Sequence, residues 1–148
     1  MNNYYLAKET IESNSDIVNF GSHEEGITDE WIRAAEKRLE VKFPPSYTWW
    51  MKNYGGGDIL GDEIFSIYGI NFDEVVGGDV VYINELDRKN GITNNKQVSI
   101  QKNNQGQSYY INLDEIDETG ESPVYNRITK TKYADNFLDF IIKQIKEA

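Results

Sequence analysis

The chain has 148 residues, a length suited to one ordinary domain spanning 1–148. Its 25 Asp+Glu against 15 Lys+Arg leave a formal net charge of −10. That balance argues against a general nucleic-acid binder or a domain docked on anionic lipid, because both need a basic surface. The absence of cysteine rules out thiolate metal sites, iron–sulfur clusters and a Cys nucleophile, and the single histidine, His23, leaves little room for a His-rich metal site or a Ser-His-Asp triad.

The opening residues Met-Asn-Asn-Tyr-Tyr lack the basic n-region and apolar h-region of a secretory signal. No apolar run approaches the ~20 residues that span a bilayer. The expectation is an acidic cytoplasmic protein with no membrane contact.

The elements follow in chain order. Residues 3–13 place Tyr4, Leu6 or Ala7, and Ile11 at helical spacing. Ile17, Val18 and Phe20 form a short extended stretch that Gly21 breaks. From Ile27 to Leu39 the helix signals converge: Thr28 as N-cap, Asp29 and Glu30 in the first turn, and Ile27 with Ile32 at staple spacing. Ile32, Ala35 and Leu39 then share the inward face. Pro44-Pro45 opens a further helix whose Tyr47, Trp50, Met51 and Tyr54 make one apolar stripe, and Gly55-Gly56-Gly57 stops it.

Ile59-Leu60 and Ile64 to Tyr68 read as strands separated by a Gly61-Asp62 turn. Asp79 to Lys89 reads as a helix with Val80, Val81, Ile83 and Leu86 as its apolar positions, and Gly91 stops it. Val98 to Lys102, Ser108 to Leu113 and Pro123 to Ile128 read as three strands joined by loops of turn composition. Tyr133 to Lys146 reads as a terminal helix with Phe137, Phe140 or Ile141, and Ile145 inward. Successive short strands favour antiparallel pairing, so the expected class is α+β: one mostly antiparallel sheet with helices largely on one side.

Three patterns invite a chemical reading. Gly55-Gly56-Gly57 lacks the strand before, helix after and nearby Lys of a phosphate loop, and reads as a helix stop. The carboxylates at Asp58, Asp62 and Glu63, and at Asp114, Glu115, Asp117 and Glu118, could hold Ca²⁺ or Mg²⁺ or act as a hydrolytic pair, but the Asp114 cluster lacks the loop pattern of a Ca²⁺ site, no pair is shown by sequence to face across a cleft, and solvated loops are the simpler reading. His23 beside Glu24-Glu25 is the residue set of an exposed loop more than of a general base. The expected catalytic, metal and cofactor sets are therefore empty.

The charge distribution is more informative. From Asn53 to Asp87 there are eight acids, Asp58, Asp62, Glu63, Asp73, Glu74, Asp79, Glu85 and Asp87, and no Lys or Arg. Asn103 to Asn126 adds Asp114, Glu115, Asp117, Glu118 and Glu121, again without a base. Tyr68, Tyr82, Tyr109, Tyr110 and Tyr125 lie in the same segments. Such a surface is either a solvated face or one that steers and holds a basic partner. On the second reading the partner-binding candidates are Asp58, Asp62, Glu63, Tyr68, Asp73, Glu74, Asp79, Tyr82, Asp114 and Glu115.

The run Ile27-Thr28-Asp29-Glu30, then Glu36 to Tyr47 with Leu39 and Pro44-Pro45, then Tyr54-Gly55-Gly56-Gly57 resembles the signature of the SUKH superfamily of Smi/Knr-type domains. Tyr54-Gly55 stands where many members have Asn-Gly. Tyr109 to Leu113 and Pro123-Val124-Tyr125 extend the resemblance, which covers roughly Thr28 to Phe140. It implies a non-enzymatic binding fold. Bacterial members are mostly immunity proteins that neutralise a cognate polymorphic toxin, often a nuclease, by stoichiometric binding that occludes its active site. Fungal members are regulatory scaffolds, so a domain that binds an endogenous partner is the alternative. No catalytic or metal-binding residue carries over from the family. Sequence alone leaves the oligomeric state open.

Overall fold

The computed structural model describes residues 3–148. Its elements run α1 (Asn3–Ser13), β1 (Val18–Phe20), a 3₁₀ turn (His23–Glu25), α2 (Asp29–Leu39), α3 (Pro45–Tyr54), β2 (Gly57–Ile59), β3 (Asp62–Ile64), α4 (Val80–Lys89), β4 (Gln97–Lys102), β5 (Ser108–Asn112), β6 (Val124–Asn126), β7 (Thr131–Ala134) and α5 (Phe137–Glu147). The strands form one seven-stranded sheet in chain order, each antiparallel to the next. This is the α+β architecture expected from the sequence.

Capping residues set the helix boundaries. The Thr28 hydroxyl accepts from the Trp31 amide at 3.3 Å and starts α2. Glu40, left-handed at φ 57°, ends it. Pro45 supplies the preset φ for the first turn of α3, which ends at Gly55 with φ 77°, a backbone conformation that a Cβ disfavours. The stripe on α3 is buried as its spacing predicts, with Tyr47, Trp50 and Met51 inaccessible to solvent. Tyr54, at its end, is only partly covered.

Strand alternation separates two sheet faces. Val18, Ile59, Ile64, Val98, Ile111, Val124 and Ala134 point into the core. Phe137 of α5 meets Trp50 of α3 at 5.5 Å, and Phe140 meets Tyr109 of β5 at 5.5 Å. Tyr4 of α1 packs edge-on against Trp49 at 5.1 Å. Asn19, Asp58, Glu63, Ser99, Tyr110 and Tyr125 belong to the opposite face, as their cross-strand register requires.

Three boundaries and one helix face differ from the sequence reading. Leu60-Gly61, not Gly61-Asp62, makes the β2–β3 turn, with φ 49° and 85°. The Phe65 amide still donates to the Ile100 carbonyl at 2.7 Å, and residues 66–68 then leave the ladder; the register pair of β3 and β4 is Ile64–Gln101. Ser66 instead makes an isolated parallel bridge to Asp79. The α4 face that packs inward is Val80, Val81, Asn84 and Asp87, while Leu86 is exposed. Tyr133 and Ala134 belong to β7, which the sequence reading merged into the last helix; α5 starts after Asn136, whose side chain accepts from the Asp139 amide at 2.9 Å.

Candidate protein-interaction surface

Folding divides the acidic candidates into several groups. Asp58 and Glu63 face each other directly across the β2–β3 pair on the open side of the sheet. Like charges in that register repel. Local hydrogen bonds hold them there: Asp58 accepts from Asn19 Nδ2 at 3.1 Å and the Gly61 amide at 2.9 Å, and Glu63 accepts from the Tyr68 hydroxyl at 2.5 Å. The Gly78 amide donates to that hydroxyl at 2.9 Å. Burial, followed by the adjacent Glu63 carboxylate, pushes the Tyr68 hydroxyl up to about 12. Asp62 lies at the end of the same hairpin and accepts from the Asn104 amide at 3.0 Å.

The base-free run of sequence is not base-free in space. Arg38 of α2 reaches Asp73 at 3.0 Å and Glu85 at 2.8 Å. Lys102 of β4 pairs with the buried Asp87 at 2.8 Å. Asp79 is fully buried and caps α4, accepting from the Val81, Tyr82 and Tyr68 amides at 2.9, 3.0 and 2.9 Å. Its carboxylate is spent on the fold and is not offered to a partner. Asp58, Asp62, Glu63 and Glu74 therefore remain as the acids of this run with no cationic partner among the described residues. Tyr82, on α4, is partly buried.

Asp114 and Glu115 follow β5 and so lie at the opposite end of the sheet from the Leu60-Gly61 turn. Glu115 accepts from Asn112 Nδ2 at 2.9 Å and the Tyr125 hydroxyl at 2.6 Å, and Tyr125 stacks on Tyr110 with centroids 5.9 Å apart. These residues form a second, separate patch. Asp117 is engaged by its own turn: its carboxylate accepts from Thr119 and the Glu121 amide, and these bonds hold it below the usual carboxylate range.

Two apolar residues that the sequence reading did not single out, Ile70 and Val76, accompany the candidate Tyr68. Tyr68, Ile70 and Val76 are 41, 48 and 63 % exposed on the segment between β3 and α4, beside Asp73 and Glu74. An acidic rim around exposed apolar side chains is interface composition. The signal was present in sequence as apolar residues in a turn-rich stretch, but their exposure depended on where that stretch folds.

The other motifs resolve into structural roles. A Cβ on Gly55 would stand 2.5 Å from the Glu25 carbonyl oxygen, and one on Gly57 would stand 2.1 Å from that of Asn19. The glycine run thus lets α3 and β2 press against neighbouring backbone. Among the described residues, no group of three or more His, Asp or Glu side chains has metal-holding geometry, and no helix is long and apolar enough to cross a membrane.

The model of the SUKH_6 family, described as SMI1-KNR4 cell-wall, matches residues 29–141, from the first residue of α2 into α5. That span contains α2, the Pro45-initiated α3, the glycine run 55–57 and the strands β2 to β7. SUKH domains are typically non-catalytic and are generally linked to toxin immunity. The chain belongs to the SUKH superfamily.

Proposed function

We propose that this chain is a single-domain cytoplasmic immunity protein that binds a cognate toxin stoichiometrically and covers its active site. The observation that carries the reading is the Asp58–Glu63 pair. Two carboxylates held face to face weaken the hairpin, yet each is positioned by its own hydrogen bonds and lies near exposed apolar side chains. An acidic surface with apolar anchors suits a basic cleft of the kind that grips nucleic-acid phosphates. A nuclease is therefore the expected toxin, with the carboxylates standing where phosphates would bind. Neither nucleic acid nor membrane is a partner on this reading.

The family's cell-wall description supports a second reading, a regulatory domain that binds an endogenous protein. Co-expression with the product of the adjacent gene separates the two. The immunity reading expects that product to be toxic alone, harmless when co-expressed, and recovered in a one-to-one complex by pull-down. A harmless neighbour that forms no complex overturns it.

A further inference from the structure

Beside the Asp58–Glu63 pair, a groove of about 640 Å³ opens where β1, the 3₁₀ turn, the end of α3 and the start of β2 converge. Glu25 and Glu63 contribute carboxylates to its lining, Phe20, Tyr54 and Tyr68 contribute rings, and no Lys or Arg lines it. We propose that this groove receives an arginine side chain presented by the protein partner, an inference that rests on the partner-binding reading above.

Both carboxylates are held in place with capacity to spare. Glu25 Oε1 accepts from the Ser22 amide at 2.9 Å and hydroxyl at 3.2 Å, and Glu63 Oε2 accepts from Tyr68. In each, the second oxygen has no hydrogen bond among the described residues. The groove floor is backbone, because residues 55–57 carry no side chains, and the buried Ser66 hydroxyl fixes it by donating to the Gly55 carbonyl at 2.7 Å. A Cβ at Gly55 or Gly57 would run into neighbouring backbone, so neither position can carry a side chain into the groove. A guanidinium suits such a site better than an ammonium, because its planar fork donates to carboxylates while its face lies against aromatic rings. The chain's own nearby cation, Lys52, is turned away and paired with Asp29 at 3.0 Å.

The test is an amide-detected NMR titration of the whole protein at low ionic strength with the tripeptide Gly-Arg-Gly, using Gly-citrulline-Gly as the uncharged control. The expected result is shifts concentrated at the amides of Gly55, Gly56, Gly57, Tyr68 and Gly78, with the arginine peptide binding roughly tenfold tighter than the control. Glu25→Gln and Glu63→Gln should each remove most of that preference. Both retain an acceptor for the Ser22 or Tyr68 bond, and undisturbed spectral dispersion reports that they fold. Shifts spread equally to Asp114 and Glu115, equal binding of both peptides, or no binding overturns the proposal. The titration needs no toxin, so its failure is distinct from failure of the immunity reading, which co-expression alone decides.

Discussion

The Asn84 carboxamide holds both backbone groups of Ser99: Nδ2 donates to its carbonyl at 3.0 Å and Oδ1 accepts from its amide at 2.7 Å. The chain leaves β4 once the Phe65 amide has bonded the Ile100 carbonyl, so Ser99 has no strand beside it on that side. A single side chain on α4 takes the place of the missing backbone, while Asp87, one turn on, accepts from the Ser99 hydroxyl at 2.9 Å. Asn84→Ala leaves a buried amide and carbonyl without partners and is expected to cost about 2–5 kcal/mol. Urea denaturation checks this; an unchanged midpoint would mean that water replaces the carboxamide.

Trp50 touches Phe20 at 5.3 Å and Phe137 at 5.5 Å and is wholly buried, so it links the β1 edge to the terminal helix. Trp50→Ala should lower stability by about 3–5 kcal/mol as a large-to-small core change. The same unfolding experiment reads it.

Removing one charge from the Asp58–Glu63 pair should help the fold and harm binding. Asp58→Asn keeps the oxygen that Asn19 and Gly61 bond. The expected gain is up to about 1 kcal/mol from relieved cross-strand repulsion, with weaker binding to a basic protein partner. Thermal unfolding and a binding isotherm on the same sample decide; a loss of stability would show the pair to be a net structural asset.

The two acidic patches make different kinetic predictions. Glu74→Lys should slow association with a cationic partner several-fold at low salt, and the difference should shrink as salt screens the field. Asp114→Lys, at the other end of the sheet, should have a much smaller effect. Stopped-flow association rates at several salt concentrations distinguish them, and neither change should move stability by more than about 0.5 kcal/mol.

Glu121 supplies a pH prediction. Its carboxylate accepts from the Ser46 amide at 2.9 Å and hydroxyl at 2.6 Å, but burial outweighs these bonds and raises it above its ordinary value of 4.5. The folded state therefore holds this proton more tightly than the unfolded chain. The group's contribution is fully present below pH 4.5 and is lost as pH rises through the folded value. A ¹³C titration of the Glu121 carboxyl should give a midpoint above 4.5. Glu121→Gln should flatten the fall of stability across that window.

Local signals explain which parts were legible. α2 and α3 carried cap, staple, proline and stripe together, so tertiary context had nothing to overrule. β7 was missed because Tyr133 and Ala134 continue the apolar spacing of α5; the better clue was Asn136 followed three residues later by Asp139. The inward face of α4 was misread because Asn84 and Asp87 are polar, and their burial depends on Ser99 and Lys102, distant in sequence. The acidic face was overestimated for a similar reason: Arg38 lies well upstream of the run it neutralises. The groove was invisible because its carboxylates, rings and glycines come from four separate segments.

The pairing of α1 with α5 has a consequence for synthesis. Asn3 donates to Asp139 at 3.0 Å across 136 positions of chain, and Ala7 of α1 packs with Leu138 and Ile142. The strands can zip together in order as they leave the ribosome, because each meets the one before it. The first helix meets Trp49 early, but the side of it that packs on Leu138 and Ile142 must wait for α5. At typical elongation rates of ~5–20 residues per second, that side stays uncovered for on the order of 10 s. The packing of this domain is thus finished only when α5 has closed over α1.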